Sequence, residues 1–137
     1  MENFPLPLTA IATLVTMILY MWITLNVARA RTRYGVVAPH VTGDETFQRI
    51  YRVQCNTVEQ LALFLPMLWL TAVLTTDWYA AAVGGFWVLG RFLYAVGYYR
   101  NARSRRLGFN LNLLALVLLF CAAAGALVEP QLKLLMQ

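Results

Sequence analysis

The sequence predicts an all-α integral membrane protein, a single domain over residues 1–137 built as a bundle of four transmembrane helices. Three observations carry this expectation. Hydrophobic residues make up 61% of the chain and charged residues 12%, against roughly 25% charged in an average soluble chain. Four apolar runs each approach the ~20 residues needed to cross ~30 Å of hydrocarbon. The basic residues cluster at the ends of those runs, where they orient a membrane protein. The same arithmetic excludes an ordinary soluble domain, a disordered tail and a disulfide-stapled module. The net charge of +5 therefore reads as membrane orientation, with no nucleic-acid partner.

The first span is Leu6 to Ala28, inside a stretch with no charge between Glu2 and Arg29. No Lys or Arg precedes it, so a cleaved secretory signal is not expected. The second, residues 53–76, contains a 17-residue uncharged run from Gln60 to Thr76, extended backwards through a polar stretch. The third, residues 78–99, carries one charge, Arg91. The fourth, residues 107–128, is interrupted only by Asn110 and Asn112. Thr75-Thr76-Asp77 is a tight turn, which makes the second and third spans antiparallel neighbours. A long loop is expected over 29–52 and a short basic one over 100–106. Those two loops share a side of the membrane and carry nine basic residues, against Lys133 alone on the other side. The positive-inside rule places both loops in the cytoplasm and both termini outside.

Charges inside a bilayer cost at least ~2.5 kcal/mol on insertion scales, and they mark a function or an internal ion pair. Glu59 and Arg91 are the two here. On a helix, Arg52, Asn56, Glu59 and Leu63 lie within about 40° of one line. Arg91, Tyr94 and Tyr98 make a matching stripe on the third span, continued to Arg105 if that helix persists into the loop. Antiparallel pairing would let the stripes face each other at the cytoplasmic end, forming a pocket of cations, an acid, an amide and two phenols. The alternatives are a Glu59 ion pair with Arg91 or Arg52 that fixes helix register, an interfacial tyrosine belt, and loop arginines that serve topology alone. His40 reads as a solvated loop residue and Pro66 as a kink in the second span. Gly84, Gly85, Gly90 and the run from Ala122 to Ala126 read as close helix packing. Cys55 and Cys121 show no CxxC or Cys/His spacing, so packed free thiols and no metal site are expected.

Several arginines beside one carboxylate, an amide and phenols suit a small molecule with carboxylates, an amine and amide groups. Glutathione is such a molecule: arginines would clamp its carboxylates and Glu59 would take its ammonium. A thiol with a solution pKa near ~8.5 is a poor nucleophile at neutral pH, and an adjacent guanidinium lowers that value to yield thiolate. Such a pocket is compatible with glutathione, but composition alone does not select it.

The segment Arg49-Ile50-Tyr51-Arg52-Val53-Gln54-Cys55-Asn56-Thr57-Val58-Glu59-Gln60, followed by Phe64-Leu65-Pro66, resembles the signature of the MAPEG superfamily, the membrane-associated proteins of eicosanoid and glutathione metabolism. A second match is Gly90-Arg91-Phe92-Leu93-Tyr94-Ala95-Val96-Gly97-Tyr98, with Leu107-Gly108-Phe109 beyond the basic residues, and a weaker third is Ala30-Arg31. The resemblance implies a homotrimer with three sites near the cytoplasmic face, each between neighbouring subunits. Carried over by position, Arg52, Asn56, Glu59, Tyr94, Tyr98 and Arg105 contact glutathione from one subunit, and Arg31 and Gln54 come from the next. Gln54 lies on the opposite side of its helix from the Arg52 stripe, in keeping with that division. Arg105 is the implied thiolate stabiliser, with Arg106 adjacent. Gln60 stands where leukotriene C4 synthase-like members have tyrosine, and Tyr94 where the prostaglandin E synthase-like branch has histidine.

The reading that follows is a bacterial-type microsomal glutathione transferase of the bacterial inner membrane. It conjugates glutathione to hydrophobic electrophiles arriving from lipid, or reduces lipid hydroperoxides with the same thiolate. A non-enzymatic, lipid-binding scaffold of the same fold is the alternative. A small multidrug-type exporter is more remote, because its essential Glu belongs deep in the first span, and Leu6 to Ala28 has none.

Overall fold

The computed structural model describes residues 5–135. Among them are four long helices, α1 (Pro7–Tyr34), α2 (Glu45–Leu74), α3 (Asp77–Arg100) and α4 (Arg106–Leu135), with a 3₁₀ turn at Ala102–Arg105 before α4. All four are long and apolar enough to cross a membrane, which makes the chain a multi-spanning integral membrane protein. α3 is the central element and packs on all three others, most extensively on α4.

The helices run past the apolar runs that announce them. The expected loop over 29–52 is helical at both ends, leaving only residues 35–44 without helix. α1 stops where Gly35 turns left-handed at φ 65°, with its N–H bonded to Arg31 O. That is a conformation a side chain disfavours and glycine does not. α2 starts at Asp44, whose carboxylate accepts from the N–H groups of Thr46 at 2.7 Å and Phe47 at 3.1 Å, satisfying two donors the helix cannot. The extensions are held by a core of their own, in which Val27, Ala30 and Val36 close over a fully buried Phe47. Apolar run length reports bilayer thickness, whereas helix length reports where caps and packing end.

At the opposite end, α1 has no side-chain cap of its own, since Leu6 precedes it and Pro7 opens it. Asp77, the first residue of α3, serves instead: its two oxygens accept from Leu8 N at 2.9 Å and Thr9 N at 2.8 Å. The turn at Thr75-Thr76 thus locks α1 to the α2–α3 pair. The main core stacks Phe64 on Trp87, 4.0 Å between ring centroids and 5° from parallel, among Ala12, Leu68, Ala80, Val83 and Leu119. Thr71 Oγ1 donates to Leu119 O at 3.0 Å and Asn112 Nδ2 to Trp87 O at 2.7 Å. These two side chains thus find backbone carbonyls, as an apolar solvent demands.

α4 lies so close to α3 that a Cβ on Gly108 would collide with the backbone of Tyr94 and come within 2.6 Å of Gly90 O. Of the glycines expected at helix contacts, Gly84 and Gly90 are there, but Gly85 and Gly125 have open space within this chain. Cys55 is half-buried, while Cys121 is exposed on α4 and not a packed thiol. α2 continues through Pro66 without interruption.

Candidate functional site

The α2 and α3 stripes meet as their spacing requires. Asn56 Nδ2 donates to Tyr94 Oη at 2.6 Å, tying the two helices together. Tyr94 is buried and stacks on Tyr98 at 5.7 Å between centroids. The Arg91 guanidinium, 2% exposed, sits 4.7 Å over the Tyr94 ring and 5.2 Å over Trp87. A cation between two aromatic faces is stabilised without a counter-charge. Glu59, Arg52 and Arg91 form no ion pair among the described residues, whose salt bridges are Arg49–Glu45 and Lys133–Glu129. The register-fixing ion pair is therefore absent among the described residues, and Glu59 stands exposed.

Arg105 reaches this stripe by a different route from the one expected. α3 does not persist into the loop: Asn101 is extended, at φ −157° and ψ 139°, and its side chain accepts from Arg103 N. The following 3₁₀ turn folds back, and Arg105 settles 4.9 Å over the Tyr98 ring. A tight approach makes this return possible, since a Cβ on Gly97 would lie 2.5 Å from Ser104 O.

These side chains open onto three adjoining cavities that share walls. One of about 660 Å³ is lined by Arg49, Arg52, Cys55, Glu59 and Tyr98, among others. A second, about 640 Å³, brings Asn56 and Tyr94 together with Arg103, Arg105, Arg106 and Phe109. The third, about 310 Å³, runs between Asn56, Glu59, Gln60, Arg91, Tyr94 and Phe109. Sizes of ~300–1,000 Å³ are those of small-molecule sites. Three guanidiniums and no carboxylate line the second cavity, so it favours an anion. Glu59 lines both the first and the third and sets a carboxylate beside it.

Six of the eight expected site residues thus gather in one chain: Arg52, Asn56, Glu59, Tyr94, Tyr98 and Arg105. Arg31 and Gln54 do not join them. Arg31 donates to His40 O at 2.7 Å and covers the Phe47 ring at 5.2 Å, bracing the 35–44 loop. Gln54 turns to α1, with Nε2 3.4 Å from Thr24 Oγ1. Arg49, Cys55, Arg103 and Asn110 line the cavities without having been singled out. Cys55 was legible in principle, since it lies one helical turn from both Arg52 and Glu59. Arg106 shares the second cavity with Arg105, but only Arg105 stacks on Tyr98.

The fold and the site define a class: a four-helix membrane protein with an arginine-lined polar pocket sunk into one end of an apolar bundle. Residues 9–125 match the MAPEG family, and the chain belongs to it. Its relatives include the uncharacterized protein sll1147 of Synechocystis, 48% identical over 88% of this chain and 85% of that protein. Human microsomal glutathione S-transferase 2 is 38% identical over 72% of this chain and 67% of its own length. Bovine leukotriene C4 synthase is 36% identical over 88% and 81% respectively.

Proposed function

We propose that this protein is a glutathione transferase of the bacterial-type microsomal kind. It would bind glutathione at the joined cavities and activate it as thiolate for attack on hydrophobic electrophiles, with reduction of lipid hydroperoxides by the same thiolate as a second activity. The observation that carries this reading is the separation of charge across one continuous site. Arg103, Arg105 and Arg106 face a cavity without an acid, and Glu59 stands unpaired one cavity away. A tripeptide with two carboxylates, an ammonium and a thiol matches that separation. The names of the relatives, a glutathione transferase and leukotriene C4 synthase, support the same chemistry.

In this reading Arg52 clamps a carboxylate, Glu59 takes the ammonium, and Asn56, Tyr94 and Tyr98 frame the peptide. Arg105 lowers the thiol pKa, so that the sulfur attacks as an anion. Arg31 and Gln54 line none of the cavities of their own chain and would serve a neighbour's site, in a working unit that would be a homotrimer. Leu63 and Phe109 give the third cavity an apolar wall, through which an electrophile would enter from lipid. The basic ends and the site would face the cytoplasm of a bacterial inner membrane, with both termini outside. Titrating the detergent-solubilised protein with glutathione tests the reading. Saturable binding with growth of the thiolate ultraviolet absorbance is expected, whereas a lipid-binding scaffold would give neither.

A further inference from the structure

Separate from this site, a cleft of about 340 Å³ opens between α1, the end of α3 and the start of α2. It shares no lining residue with the three site cavities. Arg29 and Arg33, both exposed, lie one helical turn apart at its polar end, with Arg33 5.6 Å from the Tyr34 ring. Asn26 and Tyr99 supply neutral hydrogen-bonding groups further in, and Asn26 Oδ1 accepts from Arg29 at 3.4 Å. The inner end is Trp22, whose indole meets Tyr99 at 5.9 Å and an exposed Phe92 at 5.6 Å.

We propose that this cleft binds an anionic phospholipid, with the headgroup phosphate on Arg29 and Arg33 and an acyl chain laid along Trp22 and Phe92. Polarity changes along the cleft at the level where the charge-free stretch of α1 ends, as it does along a lipid. No Asp or Glu lines it, so a net negative headgroup gains over a zwitterionic one, whose ammonium would approach two guanidiniums. A second copy of the chain is the poorer occupant, because of the three acidic residues at this end two are already engaged and the third lines the other site. Asp44 caps α2, Glu45 pairs with Arg49 at 3.9 Å, and Glu59 faces the site.

The test is to titrate the full-length protein in neutral detergent with dioleoyl-phosphatidylglycerol or dioleoyl-phosphatidylcholine, counting bound lipid by native mass spectrometry. The glycerol lipid should bind more tightly, and R29Q/R33Q should weaken it about thirtyfold, which is about 2 kcal/mol for two basic residues. R100Q/K133Q removes the same charge elsewhere and should leave binding within about twofold of the unmodified protein. R33Q alone, exposed and beyond the apolar run, should lose about fivefold and serves where the double variant does not fold. Equal weakening by R100Q/K133Q would reduce the effect to diffuse charge and overturn the proposal. So would displacement of the lipid by excess inorganic phosphate, which would mark a free-anion site, or full retention in R29Q/R33Q. Glutathione binding is measured in parallel and should not change, which keeps this proposal separable from the transferase reading.

Discussion

On the transferase reading, Arg105→Ala should separate ligand binding from thiol activation. Among the described residues the Arg105 side chain forms no hydrogen bond or ion pair, and its contact is the Tyr98 ring at 4.9 Å. An exposed cation–π contact contributes about 0.5–1 kcal/mol, so the melting midpoint should hardly move. The effect on the sulfur is larger. A unit charge ~4 Å away stabilises a thiolate by about 1 kcal/mol in water and about 4 kcal/mol at an effective dielectric near 20. At about 1.36 kcal/mol per unit, that is roughly 0.7–3 pKa units. Arg105 stands at an exposed mouth, so the lower part of the range applies. A loss of about one unit lowers the conjugation rate at neutral pH by roughly tenfold. Removing the cation raises the thiol pKa, so the rate should recover as pH rises past the new value. The assay is a pH–rate profile for conjugation to a small apolar electrophile, beside glutathione affinity by calorimetry. A flat ratio of variant to unmodified rates across pH would refute thiolate stabilisation by Arg105. The same pH-dependent loss in Arg106→Ala, with Arg105→Ala unaffected, would move the role one residue along.

Glu59→Gln should weaken glutathione binding by roughly ten- to over a hundredfold, the ~1.5–3 kcal/mol of a charge-assisted contact, with the midpoint unchanged because Glu59 is exposed and unpaired. A collapsed midpoint with intact affinity would make it structural. Asp77→Asn should lower stability by about 1–2 kcal/mol through the weakened cap on α1, read as a midpoint shift in detergent. It should leave glutathione affinity alone, since Asp77 lies at the opposite end from the site. Gly108→Ala should cost about 1–3 kcal/mol by overpacking and also weaken glutathione binding, because the new methyl pushes on the Tyr94 backbone. Gly125→Ala, with open space around it, should be neutral or up to ~1 kcal/mol stabilising; equal losses in the two variants would refute the packing argument.

Much of the bundle was legible because a bilayer enforces simple rules. Apolar length locates spans, and a three-residue turn forces Leu74 and Trp78 onto antiparallel neighbours. The facing of Asn56 and Tyr94 followed from helical periodicity alone, since both lie on stripes that a single rotation brings together. Arg105 was harder. Its register relative to Tyr98 depends on the chain leaving the helix at Asn101 and on the absence of a side chain at Gly97, and both are local backbone events. The extra helix at 29–34 and 45–52 was hidden for another reason. Outside the membrane, apolar length no longer reports helix length, and only Gly35, Asp44 and a buried Phe47 mark where the helices stop. Arg31 and Gln54 expose the limit of any single-chain argument. Their side chains are satisfied by His40 O and Thr24 and line none of the site cavities; helical periodicity turned Gln54 away from its own chain's pocket, whereas Arg31 entered only through the resemblance. Assigning them a role in a neighbour's pocket requires the geometry of a second copy, which no spacing within one helix encodes.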